Sequence, residues 1–255
     1  MLKKKTNIPL NKYFKNILLT NDDGYDAIGI KLLYKLLQKY ADNAILLAPL
    51  EPMSCKSSSI TMGKGLVINK VSDNVFALNG TPTDCVAIGL SSLNIKFDLV
   101  VSGVNDGENL TYDTIYSGTI GATLEANKEG YKSISFSCPS NFNLVEKNFD
   151  QVMNIVIKNN LLSKKYTLSV NFPLGEEVKD IMVSRLSSRK DHPYYEKIDG
   201  AYYARREIES LISSSEDDWY CFNNGIVSIV PLTNLLFHEH IYRQAKNKNL
   251  KKSNK

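Results

Sequence analysis

Cysteine is scarce in this 255-residue chain: Cys55, Cys85, Cys138 and Cys221 are the only four. They lie far apart, form no CxxC pair and have mostly apolar or small neighbours. That excludes a disulfide scaffold or a zinc site and predicts buried free thiols. No run of about 18 apolar residues occurs, so no membrane-spanning helix is expected. The opening MLKKKTNIPLNKYFKN lacks the apolar h-region of a signal peptide, and a cytoplasmic protein is the expectation. Zinc-finger, helix-turn-helix and aromatic-interleaved basic patterns are missing as well, so neither nucleic acid nor a membrane is an expected partner. Histidine is nearly absent. His192, His238 and His240 have no carboxylate or cysteine partner at metal spacing. Surface or interface roles are expected for them, with His238 or His240 as the only candidates for a general acid.

What remains is an ordinary globular composition, 43% hydrophobic and 23% charged, long enough to bury a substantial core as a single domain over 1–255. The net charge of +4 comes largely from Lys3, Lys4 and Lys5 and from the closing KNKNLKKSNK, which are expected to be solvated tails. NILLT (16–20) reads as a strand buried on both faces. Ile28, Ile30, Leu32, Leu33, Leu36 and Leu37 follow at helical spacing, and AILLAP (44–49) is a second buried strand. The two strands should be parallel, with a right-handed connection. GLVIN (65–69) and NVFALN (74–79) predict a hairpin. Thr81 and Pro82 open a helix over 81–93. FDLVVSG (97–103), a helix over 117–130, SISFS (133–137), a helix over 141–160 and YTLSVNFP (166–173) continue the alternation. The pattern predicts a three-layer α/β fold with a mostly parallel, Rossmann-like sheet. Beyond Pro173, IMVSRL (181–186) and GIVSIVPL (225–232) read as strands, and the polar, aromatic stretch between them resists assignment.

Ligand sites in such sheets form just past the carboxyl ends of the strands. The turns there are NDDG (21–24), LEPMSCKSSS (50–59), GVNDGEN (103–109) and the helix start YSGT (116–119). Adjacent Asp22 and Asp23 repel each other unless something positive neutralises them, and a hard divalent cation such as Mg²⁺ or Mn²⁺ takes such ligands. From these residues alone, a cation site and a helix cap account for Asp22 equally well. Asn105 adds a neutral oxygen donor, and Gly103 and Gly107 give the backbone room to approach a ligand. Ser117, Gly118 and Thr119 sit at a helix start, where free N–H groups and the helix dipole favour an anion. Together the turns suggest a metal held beside a phosphate.

ILLTNDDGYDAIGI (17–30), AP followed by Ser54 and SSSIT (57–61), NGTPTDCV (79–86), DLVVSGVNDGENL (98–110) and YSGTIGATLEA (116–126) resemble, in order and spacing, the signature blocks of the SurE survival-protein family. SVNFP (169–173) matches too. The resemblance covers about 16–175 strongly and the rest loosely. It implies a metal-dependent nucleotidase or phosphatase that hydrolyses nucleoside 5′- or 3′-monophosphates, with one Mg²⁺ or Mn²⁺ per subunit. Asp22, Asp23, Ser54 and Asn105 match the family's metal ligands; Asn21, Gly103, Ser117, Gly118 and Thr119 match its phosphate pocket. The choice of Ser54 among the serines of 54–59 rests on the resemblance alone. Asp23, Asn105 and Ser117 are the expected catalytic residues, Asp23 as the carboxylate that orients or deprotonates water. A covalent aspartyl-phosphate route fits less well, because the phosphatases that use it carry Asp-x-Asp rather than adjacent aspartates. A nucleotide- or phosphate-binding module without turnover is the competing reading. Two departures stand out: Cys55 replaces the glycine usual after the metal-binding serine, and 186–210 diverges around an extended hairpin arm. The family's assembly through its C-terminal region implies a homodimer or homotetramer, with Tyr194, Tyr195, Tyr202 and Tyr203 of that arm as interface residues and a basic tail over about 241–255.

Overall fold

Ile17, Leu18 and Leu19 have no exposed surface at all, as a strand covered on both faces requires. They belong to β1 (Phe14–Thr20), whose alternate side chains serve two cores. Ile17 and Leu19 pack with Ile30 and Leu33 of α1 (Ile28–Leu37) and with Phe149 and Val152 of α4 (Phe142–Lys158). Leu18 meets Cys85 and Val86 of α2 (Pro82–Ser92) and Ala122 and Ala126 of α3 (Gly118–Lys128) on the opposite face. This is the helix, sheet, helix layering that the alternating pattern predicts.

In this computed structural model, residues 12–188, 191–208, 214–234, 242–244 and 246 are described. The remaining strands of the main sheet are β2 (Ala41–Pro49), β3 (Ile68–Ser72), β4 (Val75–Leu78), β5 (Leu99–Asn105), β6 (Ser133–Ser137), β7 (Thr167–Asn171), β8 (Asp180–Val183) and β11 (Ile226–Leu232). Their order is β3-β4-β2-β1-β5-β6-β7-β11-β8. From β4 across β2, β1, β5 and β6 to β7, each strand runs parallel to the next. At the edges, β3 runs antiparallel to β4 and β11 antiparallel to β7. The chain leaves β1 toward β2 and returns through α2 to β5 on the other side, so the topological switch point lies between β1 and β5. A crevice outside the carboxyl ends of those two strands is where such folds bind ligands.

The expected hairpin is present but displaced: β3 begins at Ile68 rather than Gly65. Every β3 residue is exposed, so no buried face sets its register. Ile28, expected on the apolar face of α1, opens the helix at 73% exposure instead. Three cysteines are buried as expected, whereas Cys55 is exposed. The unassigned stretch holds α5 (Asp218–Asn223) and a separate hairpin of β9 (Asp191–Ile198) and β10 (Ala201–Ile208). Asp199 and Gly200 both have positive φ, +49° and +86°, at its two-residue turn, the geometry that matches hairpin twist. The backbone of His192 lies in β9. His238 and His240 lie outside the described residues, as does most of the basic tail. No described helix is long and apolar enough to cross a membrane.

Candidate functional site

Asp22 lies two residues past the end of β1, but α1 does not start until Ile28, and its N-cap, Ala27, makes no side-chain cap. Asp22 therefore caps no helix, which removes one of the two readings its sequence position allowed. It is 4% exposed. The Thr119 hydroxyl donates to its Oδ1, and Met53 N donates to its carbonyl oxygen at 2.7 Å. Burial raises the Asp22 carboxyl to about 6; the charge on Asp23 adds to this and the Thr119 hydrogen bonds oppose it. Asp23 is half-buried, and its Oδ2 accepts from Asp106 N at 3.1 Å. Burial also raises Asp23, helped by the Asp106 carboxylate and opposed by that backbone N–H. Two adjacent acids, both pushed toward the neutral form, are what a cation site looks like before its positive charge is counted.

Ser54 sits in the exposed loop after β2, held at three places. Met53 is tied to Asp22 as above. Ser57 N donates to Tyr116 O at 3.0 Å and Ser57 Oγ to Ile115 O at 2.6 Å. Thr61 donates to Asp84 from its N–H and its hydroxyl, at 2.9 and 2.6 Å. Asp84 also completes a capping box with Thr81 at the start of α2. Although burial pushes the Asp84 carboxyl up, the Thr61 and Thr81 hydrogen bonds outweigh it and hold it below the usual carboxylate range. Cys55 and Ser57 adopt left-handed φ of +59° and +53°. The glycine usual at position 55 in the family thus corresponds to a backbone conformation that Cys55 must hold at some strain.

Asn105 ends β5, beside the switch point. Its Nδ2 donates to Gly107 O at 3.0 Å, which leaves the acceptor Oδ1 to serve as a ligand to a cation. Ser117 is the N-cap of α3, with Oγ accepting from Ile120 N at 3.1 Å. Asp22, Asp23, Ser54, Asn105 and Ser117 line one cleft of about 240 Å³, together with Cys55, Asp106 and Tyr116. The other expected residues stand outside that lining. Asn21 is fully buried, its Nδ2 donating to Gly24 O at 2.9 Å and its Oδ1 without a hydrogen-bond partner. Gly103 lies within β5. Gly118 is packed so tightly against Asp22 that an added Cβ would come within 2.9 Å of the Asp22 Cβ. Thr119 has no exposed surface and holds Asp22, so its hydroxyl serves the carboxylate rather than an open anion pocket.

A second cavity, about 650 Å³ and mostly apolar, adjoins the cleft through Ser117 and is lined by Tyr112, Ile115, Leu124, Leu186 and Leu232 among others. Two hollows of about 670 and 700 Å³ lie instead around Lys15, Lys96 and Asp98, by the opposite ends of the strands. There Asp98 is occupied by the N–H groups of Lys15 and Asn16, at 2.7 and 3.1 Å.

Among the described residues, no three His, Cys, Asp or Glu side chains cluster as a metal site. The donor set in the cleft is different: two carboxylates, an amide oxygen and a hydroxyl, all hard oxygen ligands suited to Mg²⁺ or Mn²⁺. The raised carboxyl of buried Asp22 is the observation that fits a bound cation: the Thr119 hydrogen bonds do not offset its burial, and added positive charge would favour its ionised form. Asp84, Asp106, Asn109 and Asp218 also support the site and were not singled out from sequence. The Thr-x-x-Asp spacing of 81–84 was a readable capping signal; the other three act through contacts 31–107 residues away in the chain, for which local sequence holds no signal.

A family description, Survival protein SurE, matches residues 17–193. The 5′-nucleotidase SurE of Petrotoga mobilis is 38% identical over 237 residues, covering 86% of this chain and 92% of that protein. The 5′-nucleotidase SurE of Mannheimia succiniciproducens is 36% identical over 230 residues, covering 85% and 92%. The crystal structure of the SurE protein from Aquifex aeolicus superposes with a TM-score of 0.78 at 29% identity, covering 91% of this chain and 98% of that one.

Proposed function

Because the chain belongs to the SurE survival-protein family, we propose that it is a divalent-metal-dependent phosphomonoesterase that hydrolyses nucleoside 5′- and/or 3′-monophosphates to nucleoside and phosphate. The observation that carries this reading is the convergence of Asp22, Asp23, Ser54, Asn105 and Ser117 on one cleft. Asp22, Asp23, Ser54 and Asn105 would hold one Mg²⁺ or Mn²⁺ per subunit. When bound, the cation supplies Lewis acidity and neutralises charge on the phosphoryl group. The α3 N-terminus at Ser117 directs the positive end of its dipole at the same group, where negative charge builds in the transition state. Asp23 orients the attacking water and accepts its proton as the new P–O bond forms; the ester P–O bond breaks and the departing nucleoside oxygen takes up a proton from solvent. Thr119 keeps Asp22 in place. The adjoining apolar cavity, lined by exposed Tyr112 and Ile115, with exposed Tyr116 in the cleft beside it, supports a substrate whose phosphate carries a flat apolar group rather than a bare sugar.

Phosphate release from nucleoside 5′- and 3′-monophosphates and from ribose 5-phosphate tests this, each with EDTA, Mg²⁺ or Mn²⁺. Release should require the metal, and the nucleotides should show the lower KM. Nucleotide binding without release under any metal would instead make the chain a binding module.

The hairpin arm exposes Tyr194, Tyr195, Tyr202 and Tyr203, with Lys197 over the Tyr202 ring and Arg205 over the Tyr203 ring. An isolated two-stranded hairpin is marginally stable in water. Burial of this arm against a second copy, giving a homodimer or homotetramer, is the assembly this supports. Deleting 186–210 should lower the mass seen by light scattering; an unchanged mass would rule the arm out as the contact.

A further inference from the structure

Thr111 has φ +57°, a left-handed conformation that is a real outlier, and strained, for a β-branched residue. It opens the 3-10 turn Thr111–Tyr116 that delivers the chain to Ser117. Such a residue persists only where its surroundings hold it. Thr111 N donates to Asp218 Oδ2 at 2.8 Å. Asp218 is 0% exposed, and its other oxygen accepts from Ser187 N at 2.9 Å and from Trp219 N at 2.8 Å. The turn then closes on itself: Thr114 Oγ1 donates to Thr111 O at 3.0 Å, and Ser117 N donates to Thr114 O at 3.3 Å. On the other side, Arg185 Nε donates to Asp217 at 2.8 Å, and Asp218 N donates to Arg185 O at 2.9 Å. Residues 185–187 thus sit clipped to the two aspartates at the start of α5, just ahead of the hairpin arm.

We infer that Asp218 is a positioning residue for the reaction: one buried carboxylate fixes the N-terminus of α3 and ties it to the root of the hairpin arm. It touches neither the cleft nor its donors. Its two oxygens bind two segments that are otherwise 76 residues apart in the chain, Thr111 on the cleft side and Ser187 on the arm side. A shift of the arm's root therefore reaches Ser117 through a chain of hydrogen bonds to rigid backbone. Misplacing a group that stabilises the transition state by about 1 Å costs on the order of 100-fold in rate.

The inference rests on the proposed phosphatase activity, and its test separates the two. Ser187→Pro removes the N–H that Asp218 accepts, while Ser187→Ala keeps it. Asp218→Asn keeps the shape and places an NH₂ against backbone donors. In Ser187→Pro and Asp218→Asn, kcat on a nucleoside monophosphate should fall about 10- to 100-fold while the Mn²⁺ dissociation constant stays within about threefold. Ser187→Ala should stay within about twofold in both. A folded Ser187→Pro or Asp218→Asn with wild-type kcat overturns the inference, as does an equal fall in kcat and Mn²⁺ affinity, which marks general loosening. If Ser187→Pro does not fold, Asp218→Asn carries the test. If the wild type releases no phosphate with any metal, the proposed activity fails. Inorganic phosphate titrated by calorimetry into the Mn²⁺-loaded protein then decides the positioning role: weaker binding in Asp218→Asn upholds it and equal binding overturns it.

Discussion

Asp22→Asn should lower turnover about 100- to 1,000-fold and, in the same protein, raise the melting temperature of the metal-free form at pH 7. The first effect follows from removing one of two adjacent carboxylates that would hold the cation and from the size of the electrostatic contributions such groups make, on the order of 100- to 1,000-fold each. The second follows from burial. The Asp22 carboxyl is raised to about 6 from 3.8, so the folded state holds the proton more tightly than the unfolded chain. Between about pH 4 and 6 unfolding releases that proton, and stability falls as pH rises through the window. By pH 7 the deficit amounts to at most about 3 kcal/mol. Asparagine carries no charge to desolvate and still offers an oxygen to the Thr119 hydroxyl. Melting curves in EDTA at pH 4.5 and 7.5 check this. Wild type should lose stability between the two and regain it with Mn²⁺, whereas the variant, left with Asp23 as its one raised carboxyl in the cleft, should respond less to both. A variant that is less stable than wild type at pH 7.5 in EDTA would show that the Asp22 charge is already compensated without a metal.

Gly103→Ala should unfold a large part of the margin that holds the domain together. Gly103 has φ +122°, outside the range an L-residue adopts without strain, and an added Cβ would lie 2.2 Å from Phe136 O on β6. Both groups in that contact are backbone, so no side chain can rotate away. Strain of about 1–3 kcal/mol and overpacking of about 1–3 kcal/mol combine to about 2–6 kcal/mol, against a typical domain stability of about 5–15 kcal/mol. The relief available is to move β5 away from β6, which carries Asn105 with it. A drop in melting temperature together with weaker Mn²⁺ binding by the folded fraction is expected. A melting temperature within about 2 °C of wild type would mean that the sheet absorbs the methyl group.

The layers were readable in sequence because burial on both faces writes continuous apolar runs, as at 17–19 and 99–101, and amphipathic helices write a 3.6-residue period, as in α1 and α4. The edge strand β3 was readable as part of a hairpin but not in its bounds, since an exposed strand carries neither signal. The hairpin arm could have been placed from Asp199–Gly200, an Asp-Gly pair between runs of β-forming residues. The turns of the cleft were legible singly, through paired acids, glycines and a capped helix start. Singly they were also ambiguous, and Ser54 could not be distinguished from its neighbouring serines without the family resemblance.

By itself the sequence determined the composition of each turn, the parallel core that aims those turns at one edge, and the family. Hydrophobic period and turn chemistry are local properties, and local properties are written in consecutive residues. Tertiary structure alone decided that Asp22 caps no helix, that Thr119 serves Asp22, and that Asp218 joins Thr111 to Ser187. Each depends on which backbone N–H or hydroxyl is left pointing at a buried carboxylate once distant segments have packed, and no spacing along the chain encodes that.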